Sequence, residues 1–153
     1  MEVLVFELSG ERYAVPRDRV LEVLASVRIT PLPGAPRAVE GVVDVRGRLA
    51  AAFDLRHRFR LALRAPHASE RMVLARAGER QVVFRCDRID GLVEVDESKL
   101  EDPRGLVSGA RYVAGVARLE DGLLLIHDLV TFLSEAESEE LDRALESGIG
   151  GEG

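Results

Sequence analysis

The chain has 153 residues but no tryptophan, only two tyrosines and a single cysteine. So few large aromatic rings give little material for the stacking surfaces that bind bases. The lone Cys86 excludes a disulfide bond within the chain, and its apolar neighbours are typical of a buried thiol in a reducing compartment. Because the sequence has neither a secretory leader nor an apolar run of roughly 18 residues, it predicts a soluble protein of the cytoplasm.

Lysine is nearly absent, and the surplus of acidic charge lies at one end. The net charge is −6 at pH 7, and residues 134–153 alone carry seven acids and one arginine. The remaining residues are therefore electrically balanced, which argues against binding to nucleic acid or to an anionic membrane surface. We expect residues 135–153 to form an acidic tail, partly helical or disordered, and truncation after Glu140 to leave stability nearly unchanged.

Signatures of catalysis are missing. His57, His67 and His127 are far apart in sequence, and none has a cysteine or carboxylate at the spacing of metal ligands. His127 and Asp128 are adjacent, but neighbouring residues of a strand point to opposite faces, which disfavours an acid–base pair. The chain also has no nucleophile elbow, P-loop or dinucleotide-binding glycine pattern. The sequence therefore predicts no enzyme activity, no cofactor and no bound metal.

What the chain does contain is a pattern that occurs twice. Residues 9–15, in which Gly-Glu-Arg precedes apolar residues, are echoed at 77–83. A second block, with Gly-Val near its start and Asp-Leu near its end, occupies 41–59 and returns at 115–133. The blocks recur in the same order, with offsets of 68 to 69 and of 74 positions. A twofold repeat indicates twin half-domains, since a solenoid would need at least about three units.

Strand patterns dominate both copies. Short runs rich in β-branched residues alternate with turns that contain glycine or proline, at the spacing of roughly 8–12 residues that is typical of barrels and sandwiches. Two related sets of strands favour two small barrels, with short helices and a helix near the C-terminus. We expect one domain over residues 1–134, in which a first barrel mainly covers about 10–65 and a second, intertwined with it, about 70–128.

Two charged residues lie inside apolar runs. Glu22 is flanked by apolar residues within the run 20–23, and Arg46 stands between Val45 and Gly47. A partly buried arginine usually has a carboxylate partner, because an unpaired buried charge is costly. Two interpretations follow. Either both side chains face water at strand ends, or they form a bridge that holds the loop after the first hairpin against the central strands.

A longer motif surrounds Arg46. Residues 41–56 read Gly-Val-Val-Asp-Val-Arg-Gly-Arg-Leu-Ala-Ala-Ala-Phe-Asp-Leu-Arg. They match a pattern of glycine, two apolar residues, Asn-Leu-Arg-Gly, an apolar strand and Asp-Leu-Arg, through which the chain resembles the CheW-like coupling proteins of bacterial chemotaxis. Further matches, within a likeness that covers roughly 3–134, are Tyr-Ala-Val at 13–15, Val-Leu-Glu-Val at 20–23, Cys-Asp-Arg-Ile at 86–89 and Tyr-Val-Ala-Gly at 112–115.

The resemblance implies two SH3-like, five-stranded β-barrels packed together and a non-enzymatic adaptor function. It implies two partners, the regulatory domain of a CheA-type histidine kinase and the cytoplasmic tip of a methyl-accepting chemoreceptor, and a place in receptor arrays. A glutamate and an arginine that match Glu22 and Arg46 are important for coupling in that family, which favours the bridge. The other contact residues are then expected to be Val20, Val23, Gly47 and Arg48.

The chain departs from the family pattern at three positions. Asp44 replaces the usual asparagine, Ala51 replaces a frequent proline, and Arg85 stands in a strand that is normally apolar. If Arg85 faces a partner groove, its charge selects which receptor fits; the alternative is an arginine at a strand edge. These departures support a second hypothesis, a diverged module of another chemosensory pathway that binds only receptor or kinase and modulates or inhibits signalling.

Overall fold

The computed structural model describes residues 1–103, 113–128 and 135–147. Within them β-strands dominate, and the α-helices are short. The strands are β1 (Glu2–Leu8), β2 (Glu11–Pro16), β3 (Val20–Ala25), β4 (Val39–Val45), β5 (Arg48–Phe53), β6 (Arg71–Ala77), β7 (Arg80–Cys86), β8 (Arg88–Glu94), β9 (Val113–Leu119) and β10 (Gly122–His127). The helices are α1 (Leu55–Arg58) and α2 (Glu135–Leu145), and 3₁₀ turns cover Arg17–Arg19 and Glu97–Lys99.

In the described part of the chain, the strands form two sheets that pack together. The first sheet has the order β8-β1-β2-β10-β9 and the second has the order β3-β6-β7-β5-β4. Neighbouring strands run antiparallel, except that β10 is parallel to β2 and β5 is parallel to β7. Strands that are five apart along the chain occupy equivalent places in the two sheets, so that β1, β2 and β10 correspond to β6, β7 and β5. The prediction of a mainly β fold with two packed five-stranded units is confirmed.

Strand pairing reproduces the internal repeat. In the first sheet Leu125 pairs with Tyr13, and in the second sheet Ala51 pairs with Val82. The two pairs are related by shifts of 69 and 74 positions, which match the second sequence block and differ by one position from the first. Each sheet nevertheless takes strands from both copies, because β3 pairs with β6 and β8 pairs with β1. The barrel limits of about 10–65 and 70–128 stay a prediction.

A core of apolar side chains lies between the two sheets. Phe6 of β1 and Phe84 of β7 belong to it, with their ring centroids 5.1 Å apart. Because side chains alternate along a strand, Val5 points into a separate cluster of the first sheet and Val83 into one of the second. The central strands are therefore buried on both faces, which explains why their sequences are almost continuously apolar.

The two edges of each sheet are joined by the chain that follows an edge strand. Beyond β3, Thr30 pairs with Val42 of β4 at the opposite edge, with N–O distances of 2.9 and 2.8 Å. Gly41 permits this approach, since a Cβ there would lie 2.1 Å from the Thr30 carbonyl oxygen. Glu101 and Val116 make the corresponding connection in the first sheet. Joining the edges covers backbone groups that would otherwise be free to pair with other chains.

The apolar side of α2 is part of the shared core. Leu141 is fully buried, Ala144 is 4% exposed, and Leu145 packs against the same cluster. Their spacing is that of one face of a helix. Truncation after Glu140 would remove all three, so the expectation that it leaves stability nearly unchanged is wrong. The sequence pattern did not reveal this apolar face because most residues around it are acidic.

The acids of α2 also bind the body of the protein. Glu137 accepts hydrogen bonds of 3.0 and 2.9 Å from one nitrogen of Arg58, a buried side chain. Asp142 accepts a hydrogen bond of 2.6 Å from Arg80 at the start of β7. Helix α2 is therefore attached both by apolar burial and by charge.

We predict that Leu141→Ala lowers the free energy of unfolding by about 2–4 kcal/mol, because removing a fully buried leucine leaves a cavity. Chemical denaturation followed by circular dichroism measures the change. Glu139→Ala, at an exposed position of the same helix, is the control and should stay within about 0.5 kcal/mol of the parent. Equal stability of the two variants would contradict the docking of α2.

Candidate functional site

Arg46 lies at the tip of the β4–β5 hairpin. Val45 pairs with Arg48, so Arg46 and Gly47 form a two-residue loop with φ values of 53° and 84°. Positive φ at both positions is the mark of a type I′ turn, whose twist matches that of the flanking strands. The Asp44 carboxylate accepts a hydrogen bond of 2.8 Å from the Gly47 amide. Asp44 thus stabilises the turn in the manner that short polar side chains commonly do.

Glu22 of β3 and Arg46 form a bidentate ion pair. The Nη1 of Arg46 donates to Oε2 of Glu22 at 2.5 Å, and its Nη2 donates to the other carboxylate oxygen. Because β3 and β4 are the two edges of the second sheet, the pair links those edges. The Arg46 side chain is 73% exposed and that of Glu22 is 30% exposed. The two charges are therefore paired, as the interpretation of a bridge predicts. They are also open to solvent, as the interpretation of water-facing side chains predicts.

The ion pair fixes the charges of both groups. The hydrogen bond from Arg46 lowers the pKa of Glu22, and the hydrogen bond to Glu22 raises the pKa of Arg46. Any stability that the pair contributes is present above the ordinary pKa of glutamate and is lost as the pH falls through the lowered pKa of Glu22. Water and salt screen such an exposed pair, so it contributes little to folding. It remains available as a fixed pattern of charge for a partner.

Exposed apolar side chains flank the residues of the ion pair in sequence. Leu21 and Val23 of β3 are each 42% exposed, and Leu49 of β5 is 50% exposed. We call this set the β3 surface: Leu21, Glu22, Val23, Arg46 and Leu49. Large apolar side chains that face water beside fixed charges are typical of a surface that binds another protein.

The remaining predicted contact residues lie close by in sequence but differ in exposure. Gly47 and Arg48 are exposed in the hairpin. Val20 is half-buried and packs against the shared core, so it supports β3 more than it extends the surface. Sequence reasoning did not single out Leu21 and Leu49, because only the structure shows which face of their strands is open.

Arg85 does not reach the surface. It lies on β7, the middle strand of the second sheet, and is 3% exposed. Its Nε donates to both oxygens of Glu40 at 3.0 Å, and its Nη1 donates to both oxygens of Glu70 at 3.2 and 3.0 Å. Neither expectation for this residue holds, since it faces no partner groove and stands at no strand edge. Two carboxylates make its burial possible.

Arg85 is part of a larger cluster, the buried arginine network: Glu40, Arg56, Glu70, Arg85 and Asp87. Arg56, which is 1% exposed, donates to Asp87 at 2.5 Å and lies 3.7 Å from Glu70. Asp87 also accepts a hydrogen bond of 2.8 Å from the Ser9 amide, in the β1–β2 turn of the first sheet. The network thus joins α1 and the second sheet to the first sheet.

One sequence signal pointed to this network, an arginine inside an apolar strand. The partners were hidden because Glu40 is 45 positions away along the chain. Burial raises the pKa of Glu40, and the hydrogen bond from Arg85 opposes that rise. Arg85, a neighbour that sequence alone did not identify, thus favours the charged form of this acid against the effect of burial.

We predict that Glu70→Gln destabilises the protein by about 3 kcal/mol, because it leaves buried guanidinium groups short of a counter-charge. Thermal and chemical denaturation measure the change. The matched control is Glu101→Gln, which removes a carboxylate that pairs with Arg118 at the surface and should cost less than about 1 kcal/mol. A Glu70→Gln variant as stable as this control would show that the network is not needed for stability.

The first sheet carries a second pair of exposed apolar residues. Leu92 of β8 is 50% exposed and Leu123 of β10 is 51% exposed. They stand at the repeat positions of Val23 and Leu49, with the same shifts of 69 and 74. We call Leu92 and Leu123 the β8 surface. The repeat therefore presents exposed apolar side chains twice, once on each sheet, and only the β3 surface has the Glu22 ion pair.

The described residues offer little for catalysis. Among residues 1–103, 113–128 and 135–147, no three histidine, cysteine or acidic side chains are grouped so as to hold a metal ion. His127 is fully buried beside Phe59, and burial lowers its pKa to about 3, which leaves the ring neutral. No helix in this part of the chain is long and apolar enough to cross a membrane.

Comparison with known proteins gives a consistent result. The model of the CheW-like domain family matches residues 2–137. The chemotaxis protein CheW of Treponema pallidum is 24% identical over 146 residues, which cover 92% of this chain and 86% of the relative. The chemotaxis protein CheW of Thermotoga maritima is 24% identical over 139 residues, or 91% of each chain.

A solved structure agrees with this match. The crystal structure of the scaffolding protein TtCheW from Thermoanaerobacter tengcongensis superposes with a TM-score of 0.75 and 26% sequence identity. The superposition covers 82% of this chain and 87% of the other. The likeness therefore extends over both five-stranded sheets and is not confined to the hairpin motif.

Proposed function

The chain belongs to the CheW-like domain family, and from that membership we propose that it couples chemoreceptors to a CheA-type histidine kinase as a chemotaxis scaffold. One partner is the regulatory domain of the kinase, and the other is the cytoplasmic tip of a methyl-accepting receptor. The protein acts by binding and catalyses no reaction. Its place is in the cytoplasm, next to receptor arrays.

The observation that carries the proposal is the pair of apolar surfaces. An adaptor must hold two partners at separate places, so that each raises the local concentration of the other. The β3 surface and the β8 surface lie on different sheets and are related by the internal repeat. A module that binds only one partner, the alternative considered above, would need only one of them. The duplicated surface thus favours the coupling function.

The Glu22–Arg46 pair gives the β3 surface its specificity. Apolar contact alone discriminates poorly, whereas fixed charges repel a partner of the wrong pattern. Gly47 and Arg48 extend the same surface along the hairpin, and Val20 holds β3 in place. Arg85 is left out because it is buried. We propose that the β3 surface binds one of the two partners through Leu21, Val23, Leu49 and the ion pair.

We predict that Arg46→Ala and Glu22→Arg each lower receptor-dependent kinase activation several-fold, since each destroys the charge pattern while leaving the fold intact. The measurement is phosphate transfer by the kinase in assemblies reconstituted with receptor. Glu139→Ala, on the exposed side of α2, is the control. Parental activation by both variants at equal protein concentration would count against a role for the pair.

The double variant Glu22→Arg, Arg46→Glu separates two explanations of that loss. It restores an ion pair between the same positions but reverses its direction. Recovery of activation would mean that the bridge matters only for the shape of the hairpin. Continued loss, which we expect, would mean that the partner reads the individual charges.

Leu49→Arg and Leu123→Arg test whether the two surfaces bind different partners. Each places a charge in one apolar surface, and each serves as the matched control for the other because they occupy equivalent repeat positions. We expect each variant to bind one partner about tenfold more weakly and to retain the other, since a buried unpaired charge opposes association. Titration calorimetry with the kinase regulatory domain and with the receptor tip measures both affinities. If neither partner binds the unmodified protein, the proposed function is wrong.

A further inference from the structure

Asp44 occupies a position in β4 where the family pattern has asparagine, and the proposed function assigns it no role. Its side chain is exposed. Its carboxylate accepts a hydrogen bond of 2.8 Å from the amide of Gly47, across the tip of the β4–β5 hairpin. Because this bond closes the turn that carries Arg46, Asp44 is linked to the ion pair through the backbone of the tip.

The backbone of Arg46 has an uncommon conformation. Among residues 1–103, 113–128 and 135–147, only Ser9, Arg46 and Arg60 combine a side chain with a positive φ, which is 53° at Arg46. Left-handed backbone is unfavourable for most residues other than glycine, because the Cβ lies too close to the following carbonyl oxygen. An arginine therefore keeps this conformation only where its surroundings hold it there.

The equivalent hairpin of the first sheet shows that the repeat does not impose this conformation. Strands β9 and β10 meet in a two-residue tip of Glu120 and Asp121, at the repeat positions of Arg46 and Gly47. Neither Glu120 nor Asp121 has a positive φ. Left-handed backbone at Arg46 is therefore a property of this one tip.

The two hairpins also differ in the side chain that precedes the tip. In the first sheet, Arg118 holds the repeat position of Asp44 and donates a hydrogen bond of 3.1 Å to Glu101, which lies outside the hairpin. In the second sheet, Asp44 binds the backbone of its own hairpin. The uncommon conformation and a side chain that supports it thus occur together, at the tip that presents Arg46.

The conformation of the backbone at Arg46 decides where its guanidinium group goes, because it sets the direction of the Cα–Cβ bond. The side chain is 73% exposed, so packing does little to fix its course. The guanidinium nevertheless meets both oxygens of Glu22. Pairing an exposed arginine costs side-chain entropy, and that cost falls when the backbone already directs the side chain toward its acceptor.

We propose that Asp44 is a positioning residue for coupling, which holds Arg46 in the direction where its guanidinium meets Glu22 and a partner on the β3 surface. The proposal rests on the proposed function, from which it takes that a partner binds there. The hydrogen bond to Gly47 carries the effect, and the negative charge does not. Asparagine, as in the family pattern, is then equivalent to the aspartate of this chain, because an amide oxygen accepts the same bond.

A direct contact between Asp44 and the partner is the competing explanation. Asp44 pairs with Leu49 of the β3 surface, and side chains directly opposite each other in an antiparallel pair are neighbours. A partner on that surface therefore comes close to the carboxylate and could read its charge. Asp44→Asn separates the two explanations, since it removes the charge and keeps the hydrogen-bond acceptor.

The first test follows Arg46 in the full-length protein without a partner. The ¹⁵N heteronuclear Overhauser effect at Nε of Arg46 measures how ordered the side chain is. We expect Asp44→Asn to keep the parental value and Asp44→Ala to lower it, while circular dichroism verifies that both variants are folded. An Arg46 side chain that is equally ordered in Asp44→Ala and in the parent would overturn the proposal.

The second test measures receptor-dependent kinase activation with the same variants. We expect Asp44→Ala to lower activation about fivefold, roughly the effect of losing one hydrogen bond, and Asp44→Asn to restore it. The matched control is Asp96→Ala, which removes a carboxylate that accepts a similar bond of 3.0 Å from the Ser98 amide, outside the β3 surface. Equal losses in Asp44→Asn and Asp44→Ala would overturn the proposal, because they would show that the partner reads the charge.

The double variant Asp44→Ala, Arg46→Ala tests whether Asp44 acts through Arg46. If it does, activation by the double variant equals activation by Arg46→Ala alone, because the two residues form one unit. A further loss in the double variant would overturn the proposal.

Failure of the coupling function has a different signature. If the parent protein gives no receptor-dependent kinase activation while Arg46 still loses order in Asp44→Ala, the coupling function is refuted, and with it the role of Asp44 in coupling. An ordered Arg46 in Asp44→Ala, together with normal activation by the parent, refutes the positioning role alone.

Discussion

Two sheets share one core, and the rest of the structure depends on that constraint. The central strands β1, β2, β6 and β7 bury side chains on both faces, one face toward the other sheet and one toward their own cluster. They have no surface left for recognition. Exposed apolar side chains lie instead near the edge strands and the hairpin tips, where Leu21, Val23 and Leu49 are open on one sheet and Leu92 and Leu123 on the other.

Burial also decides what an arginine does in this protein. Arg46 and Arg85 both pair with glutamate through several hydrogen bonds. Arg85 is enclosed, so its carboxylates are required to offset the loss of water, and the pair serves the fold. Arg46 is in solvent, where pairing adds little stability, and the pair is free to serve recognition. The same kind of ion pair is thus enclosed in one place and open to solvent in the other.

Much of the fold could be predicted because the internal repeat is recognisable in the amino-acid sequence. The offset of 74 between the Gly-Val blocks is also that of the strand pairing, and the offset of 68 between the Gly-Glu-Arg blocks is one position short of the 69 in the pairing. The hairpin tip at Arg46-Gly47 lies at a glycine, as turn chemistry predicts. The Glu22–Arg46 pair was found from charges in apolar runs together with the family resemblance. Arg85 was misjudged because its partners are distant in sequence. Leu141 was missed because the acids of α2 hide its apolar face, and the exposed leucines were missed because alternation alone does not say which face is covered.

Each sheet combines two strands of one copy with three strands of the other, which ties the two copies together. A fragment that ended after the first copy would leave β3 without its neighbour β6, and the second copy alone would leave β8 without β1. The two copies therefore cannot separate without breaking strand pairs in both sheets.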